Sequence, residues 1–315
     1  MKRSARRGPE NSRVHVSTLK CSLALLAAAA LAGAFATPPR AQVQQPELLH
    51  TYSNSNAHEV VNVIAVDMAK LRPLVPTEYT IVPASAVLFG RPDQGVVAIA
   101  NFEGSNPVVD GRPIGRSQVA IDLAVLIAEP AGAASLGLNI PGAFHLYGLR
   151  IFTDDARYAA MLRSGGMSVE FFEQIGYQRT MDDATGVGDL NVSLPDRYPF
   201  LYSANTGQGY APGQGVFRSS FWHDGERGTV VLSFFDEPFF QGNALSRIYT
   251  RPNGSLSGLF EGAGLGPCPT DPATAFRCIL APSLNLRYDA GTRGKLQLLK
   301  PKRSGYHPFP EWMRM

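Results

Sequence analysis

Lysine is nearly missing from this sequence, and that narrows its chemistry before any motif is sought. Only six of the 315 residues are lysine, and only Lys70, Lys295, Lys300 and Lys302 lie beyond the first 36 positions. Three of these fall in the last expected strand or the tail, and Lys70 sits on a short helix. None is placed inside an apolar strand, where desolvation would make it a Schiff-base nucleophile. The pattern H-x-H is absent, as are H-E-x-x-H and C-x-x-C, so spacing supports no metal site, and no cofactor is expected. Gly254-Ser255-Leu256-Ser257-Gly258 has leucine where a nucleophile elbow needs serine. The glycine run Gly207–Gly215 has the wrong spacing for a phosphate loop and reads as a surface loop. Charged residues make up 17% of the chain, fewer than the usual quarter.

What is present begins with an export pattern. Lys2, Arg3, Arg6, Arg7, Arg13 and Lys20 stand against a single acid, Glu10, and precede the apolar run Cys21–Ala36, which ends Ala34-Phe35-Ala36. A basic region, a short apolar region and an A-x-A end are the parts of a secretory signal peptide. Residues 1–36 are therefore expected to be removed on export to the periplasm or outside the cell; an uncleaved anchor is the alternative. Loss of the segment removes six bases and one acid, leaving 23 bases and 25 acids. No basic field then argues for nucleic acid, and no membrane contact is expected after cleavage. Cys268 and Cys278 remain as the only cysteines, a pair that reads as a disulfide in an oxidising compartment, with two free thiols as the alternative.

Residues 37–57 read as a flexible leader, Pro/Gln-rich over Thr37–His50. Residues 58–300 read as one sheet-rich domain and 301–315 as a basic, Pro-rich tail. Strands are predicted at His58–Val66, Tyr79–Phe89 and Gly95–Phe102. Asp67 is placed to cap a short helix between the first two. Ser117–Ala128 alternates most cleanly. Val119, Ile121, Leu123, Val125 and Ile127 share one face, while Gln118, Ala120, Asp122, Ala124 and Leu126 share the other, a face of small residues with one acid. Phe144–Arg179 reads as strand, capped helix, the break Gly165-Gly166, and strand. A hairpin is predicted from Gly215–His223 and Thr229–Asp236 around a five-residue loop, with weaker strands at Ser246–Thr250, Leu284–Tyr288 and Lys295–Leu299. The expected class is α+β, mainly antiparallel β, with a barrel-like or double-sheet core and a few short helices.

Candidate site residues follow from charges set in apolar strands. Arg150 and Glu170 would fix a carboxylate or carbonyl if they share a cavity, and are ordinary polar positions if they face water. Arg116, Glu103 and Asp122 raise the same question, and Tyr147 lies on the strand of Arg150. His145 and His223 could titrate near neutrality or be structural histidines.

The order of these features resembles the acetoacetate decarboxylase-like superfamily over Val60–Arg179. Leu71-Arg72-Pro73-Leu74-Val75-Pro76 is similar to that family's Leu-x-x-Leu-Val-Pro segment, and Ile151–Ala156 through Arg163–Ser168 to its strand, helix and glycine break. The family has Pro-Lys after the glycine; this chain has Met167-Ser168. The resemblance implies a sheet-rich cavity for a small, partly apolar or oxo-acid ligand, without Schiff-base chemistry and with Glu170 the nearest retained acid. A lyase working by carboxylate and Arg groups in the same cavity is the alternative it leaves.

Overall fold

The computed structural model describes residues 46–87, 90–195, 201–207, 210–212, 217–225, 227–236, 239–251, 255–264 and 277–301. In chain order the strands are β1 (Glu47–Ser53), β2 (Asn56–Asp67), β3 (Gln94–Ser105), β4 (Val108–Val109), β5 (Arg112–Pro113) and β6 (Ser117–Ile127). Then come β7 (Phe144–Thr153), β8 (Val169–Phe171), β9 (Gly176–Arg179), β10 (Gly188–Ser193), β11 (Leu201–Gly207) and β12 (Ala211–Pro212). The series closes with β13 (Phe217–Gly225), β14 (Gly228–Asp236), β15 (Phe240–Thr250), β16 (Arg277–Tyr288) and β17 (Arg293–Pro301). Three α-helices are described: α1 (Met68–Leu71), α2 (Ala156–Gly165) and α3 (Ser255–Phe260).

All the strands join one sheet. Its pairings run β1, β17, β14, β13, β7, β6, β3, β2, β16, β15, β11, β10, β9. Nearly all are antiparallel. The exceptions both involve β7, whose first half pairs parallel with β13 and whose last residues pair parallel with β8. β1 pairs onward with β4, and β4 with β5, and none of these strands pairs with β9, so the sheet is not closed into a barrel. The expected barrel-like or double-sheet core takes the form of one open sheet that buries both faces, because β2, β3, β6 and β7 carry apolar residues on each side.

Alternation sorts those side chains into two cores. Val60, Ile64, Val97, Ile99, Ile121, Leu123 and Val125 enter one, with Leu71 and Leu74 beside α1 and Leu256 and Phe260 of α3. Ala57, Ala98, Phe102, Ala120, Ala124, Ile151, Phe221, Val230, Leu232, Leu286 and Leu296 enter the other, closed by Tyr158, Met161 and Leu162 of α2. Burial of these side chains, each worth about 1.5–3 kcal/mol for the larger ones, fixes which way each strand faces.

Helix α2 forms as the sequence predicts. Asp155 accepts hydrogen bonds from the N–H groups of Arg157 and Tyr158, both 2.8 Å, and Gly166 ends the helix at φ 93°, which favours glycine. Gly165 lets the helix close on the sheet, since a Cβ there would sit 2.6 Å from Leu296. The hairpin forms between β13 and β14, tighter than expected, with Gly225 opposite Gly228.

Three local expectations change. Residues 47–53, assigned to the leader by composition, form β1 and pair with β17, which offers Leu48 and Tyr52 a sheet edge. Tyr79–Val87 makes only isolated bridges at Ile81 and Pro83 and then a 3-10 turn at Ala84–Ala86, because Pro83 cannot donate to a ladder. Asp67 precedes α1 without capping it by its side chain; its carboxylate accepts from Arg91 at 3.1 Å instead. The signal segment, Cys268 and the tail lie outside the described residues. Cys278 is buried in β16. Among the described residues no helix is long and apolar enough to cross a membrane.

Candidate functional site

A face of small residues leaves room that larger neighbours cannot fill. In β3 and β6, Ala98, Ala100, Ala120 and Ala124 point toward α2, and Asp122 points with them, opposite Ala100 on one side and Ile151 on the other. Glu59 comes from β2, in register with Phe102 of β3. Tyr158 of α2 covers them, and Ser219, Phe221, Phe234 and Thr292 complete the wall. The space enclosed is about 20 Å³, near what one water-sized group needs.

The electrostatics of this cavity are unusual because no cation balances its acids. None of its lining residues is Lys, Arg or His. Burial raises the Asp122 carboxyl to about 8, with the charge of Glu59 adding to the shift. Burial also raises Glu59, to about 7, against an opposing hydrogen bond from the Tyr288 hydroxyl at 2.8 Å. Asp122 Oδ1 is buried and has no hydrogen-bond partner among the described residues. Tyr158 is held protonated by burial and by the nearby Asp122. Two carboxyls that exchange protons near neutrality, in an apolar and aromatic enclosure, can donate to or accept from a small bound molecule and can move a proton to or from it.

The residues singled out from sequence lie elsewhere. Arg150 and Glu170 meet each other, Nη1 to Oε2 at 3.1 Å, both mostly buried. Their neighbours Ile151 and Val169 pack on the α2 side, so alternation turns the ion pair to the opposite face. Glu103 accepts from Arg179 at 3.4 Å, and Arg179 also bonds Asp183. Arg116 is exposed in the turn before β6. Tyr147 is buried in the opposite core, 5.1 Å from the Tyr79 ring and 6.0 Å from His223.

His145 Nδ1 meets Ser220 Oγ at 2.9 Å, and Trp222 Nε1 donates to the same oxygen at 3.1 Å. His223 Nδ1 meets the Gly148 carbonyl at 2.9 Å, and burial lowers its pKa to about 4. Both are neutral, bonded parts of the core. Lys70 donates to the carbonyls of Gly258 and Glu261 at 2.9 and 2.8 Å. Met167 is buried in the α2-side core. Among the described residues no group of three His, Cys, Asp or Glu side chains is arranged to hold a metal.

Of the pair that does share a cavity, the sequence pointed weakly to Asp122 and passed over Glu59. The signal was there: Glu59 alternates with Ala57, Val61 and Val63, an acid on an otherwise apolar strand face. That is the pattern that drew notice to Arg150.

The fold and site together describe a sheet-rich domain holding a small acidic cavity. No family model matches the chain, and no curated protein matches it. Among solved structures, it is similar to the enduracididine biosynthesis enzyme MppR complexed with pyruvate, at 14% identity over 85% of this chain and 91% of that one, TM-score 0.46. It is also similar to acetoacetate decarboxylase, at 11% identity over 78% and 88%, TM-score 0.45. An acetoacetate decarboxylase-like enzyme from Sphingomonas wittichii RW1 matches at 11% identity over 85% and 100%, TM-score 0.42. At these identities and TM-scores the likeness is distant.

Proposed function

We propose that the chain is an exported protein that binds a small, partly apolar molecule in the cavity under α2, without Schiff-base chemistry. One observation carries this: two carboxyls, the buried Asp122 and the half-buried Glu59, face a common space whose other walls are largely Phe and Tyr, with no lysine among them. A buried carboxyl oxygen without a hydrogen bond, as at Asp122, costs stability, and such a cost is retained where a site uses it. For an oxo-acid to bind beside them the carboxyls would have to keep their protons and act as donors, since two carboxylates would repel its anion. Export rests on the N-terminal pattern, as does a disulfide between Cys268 and Cys278.

The second reading is a lyase, favoured by the raised pKa values of Glu59 and Asp122, which suit proton transfer near neutrality. It would work through carboxyl groups alone, since Arg150 is bonded to Glu170 on the other face. Ligand-observed NMR against molecules of a few heavy atoms tests both readings. Binding is expected to be lost in Ala120→Val, which fills the cavity without touching either acid. Binding unchanged by that substitution sinks the site. Turnover of a bound molecule, lost in Glu59→Gln, moves the assignment from binding protein to lyase.

A further inference from the structure

If the cavity is a small-ligand site, as proposed above, its charge imbalance says which ligand. Asp122 is 6% exposed, lines the cavity, and leaves Oδ1 without a partner among the described residues. Glu59 receives one hydrogen bond, from Tyr288 at Oε2. Among the described residues, Tyr158 on α2 lies near Asp122, Tyr288 on β16 bonds Glu59, and Tyr177 on β9 feels the charge of Glu59, while Tyr52 on β1 packs against Tyr158 at 5.0 Å between centroids. None of the four can carry a positive charge. The carbon walls are rings, Phe102, Phe221 and Phe234, the last two edge to face at 6.2 Å.

Carboxylates in a weakly polar space attract a cation strongly, and aromatic faces attract it further, while the same surroundings oppose an anion. From this arrangement we propose that the cavity takes the ammonium head of a small amine, with Asp122 Oδ1 and Glu59 accepting its N–H groups and the rings packing its carbon. The volume agrees: about 20 Å³ holds a water-sized head group and little more. Binding must expel protons from the acids, so affinity rises with pH.

Calorimetric titration of the full chain with methylammonium chloride at pH 6 and pH 8.5, in two buffers of different ionisation enthalpy, tests the proposal. Sodium chloride and sodium pyruvate serve as comparators. Binding is expected to be at least tenfold tighter at pH 8.5, to release protons at pH 6, and to weaken at least tenfold in Asp122→Asn. Methylammonium binding that ignores pH and releases no proton overturns the proposal; this readout uses the unaltered chain and stands whether or not the variant folds. Pyruvate binding without methylammonium binding also overturns it while leaving a small-ligand site in place. Absence of both removes the site and the proposal together.

Discussion

The two faces of the sheet treat charge in opposite ways. On the face away from α2, Arg150 meets Glu170 and Arg179 meets Glu103 and Asp183, so these charges are paired. On the face under α2, Glu59 and Asp122 share a space with no cation in its lining, and among the described residues Tyr288 alone offers them a hydrogen bond. Paired charges hold strands in place at little net cost, whereas acids without a counter-charge keep their protons to higher pH and can take up a ligand that supplies one. A charge in an apolar strand is thus a clue to function only after its partner is known.

The largest test of this contrast is stability against pH. A carboxyl raised in the fold contributes stability that is whole below its unfolded value of about 4 and is lost as pH climbs through its folded value. For Glu59 that is about 7 and for Asp122 about 8. Each pH unit in that window costs about 1.4 kcal/mol per group. Urea unfolding at pH 6.5 and pH 9 is expected to show a loss of about 3 kcal/mol, of which Asp122→Asn removes about two thirds. A pH-independent stability would mean the acids are solvated or matched by a cation.

Breaking the paired face comes next. Arg150→Ala leaves Glu170 mostly buried without its partner, and a loss of about 2–3 kcal/mol is expected, reduced from the fully buried case by the remaining exposure. The Arg150→Ala, Glu170→Ala double variant should recover part of it, and ligand binding under α2 should not change. Equal losses in the single and double variants would deny the pairing its role.

The smallest effect belongs to Tyr288→Phe. Removing the hydroxyl takes from Glu59 its one hydrogen bond, so the carboxyl should titrate higher than about 7 and stability at pH 9 should fall by about 1 kcal/mol. Carbon-13 NMR of the Glu59 carboxyl reads this directly. A carboxyl that titrates lower in the variant would contradict the assigned bond.

The sequence by itself determined the elements and the faces. The alternation in Ser117–Ala128 separated Val119, Ile121 and Leu123 from Ala120, Asp122 and Ala124, and those two sets do enter opposite cores. The acids and glycines around α2 set its ends, and the scarcity of lysine argued against one chemistry, because these are properties of the chain itself. Only the tertiary structure decided which charges meet. Arg150 and Glu170 stand 20 residues apart and find each other through the parallel pairing of β7 and β8, while Glu59 and Asp122 stand 63 apart and are gathered by the order β2, β3, β6. The strand order, which never brings β1 beside β9, was equally beyond reach, since it is settled by long-range pairing. Whether an acid in an apolar strand gains a counter-charge or lines a cavity depends on what the folded chain brings opposite it. The sequence could name Asp122 but could not supply its neighbour.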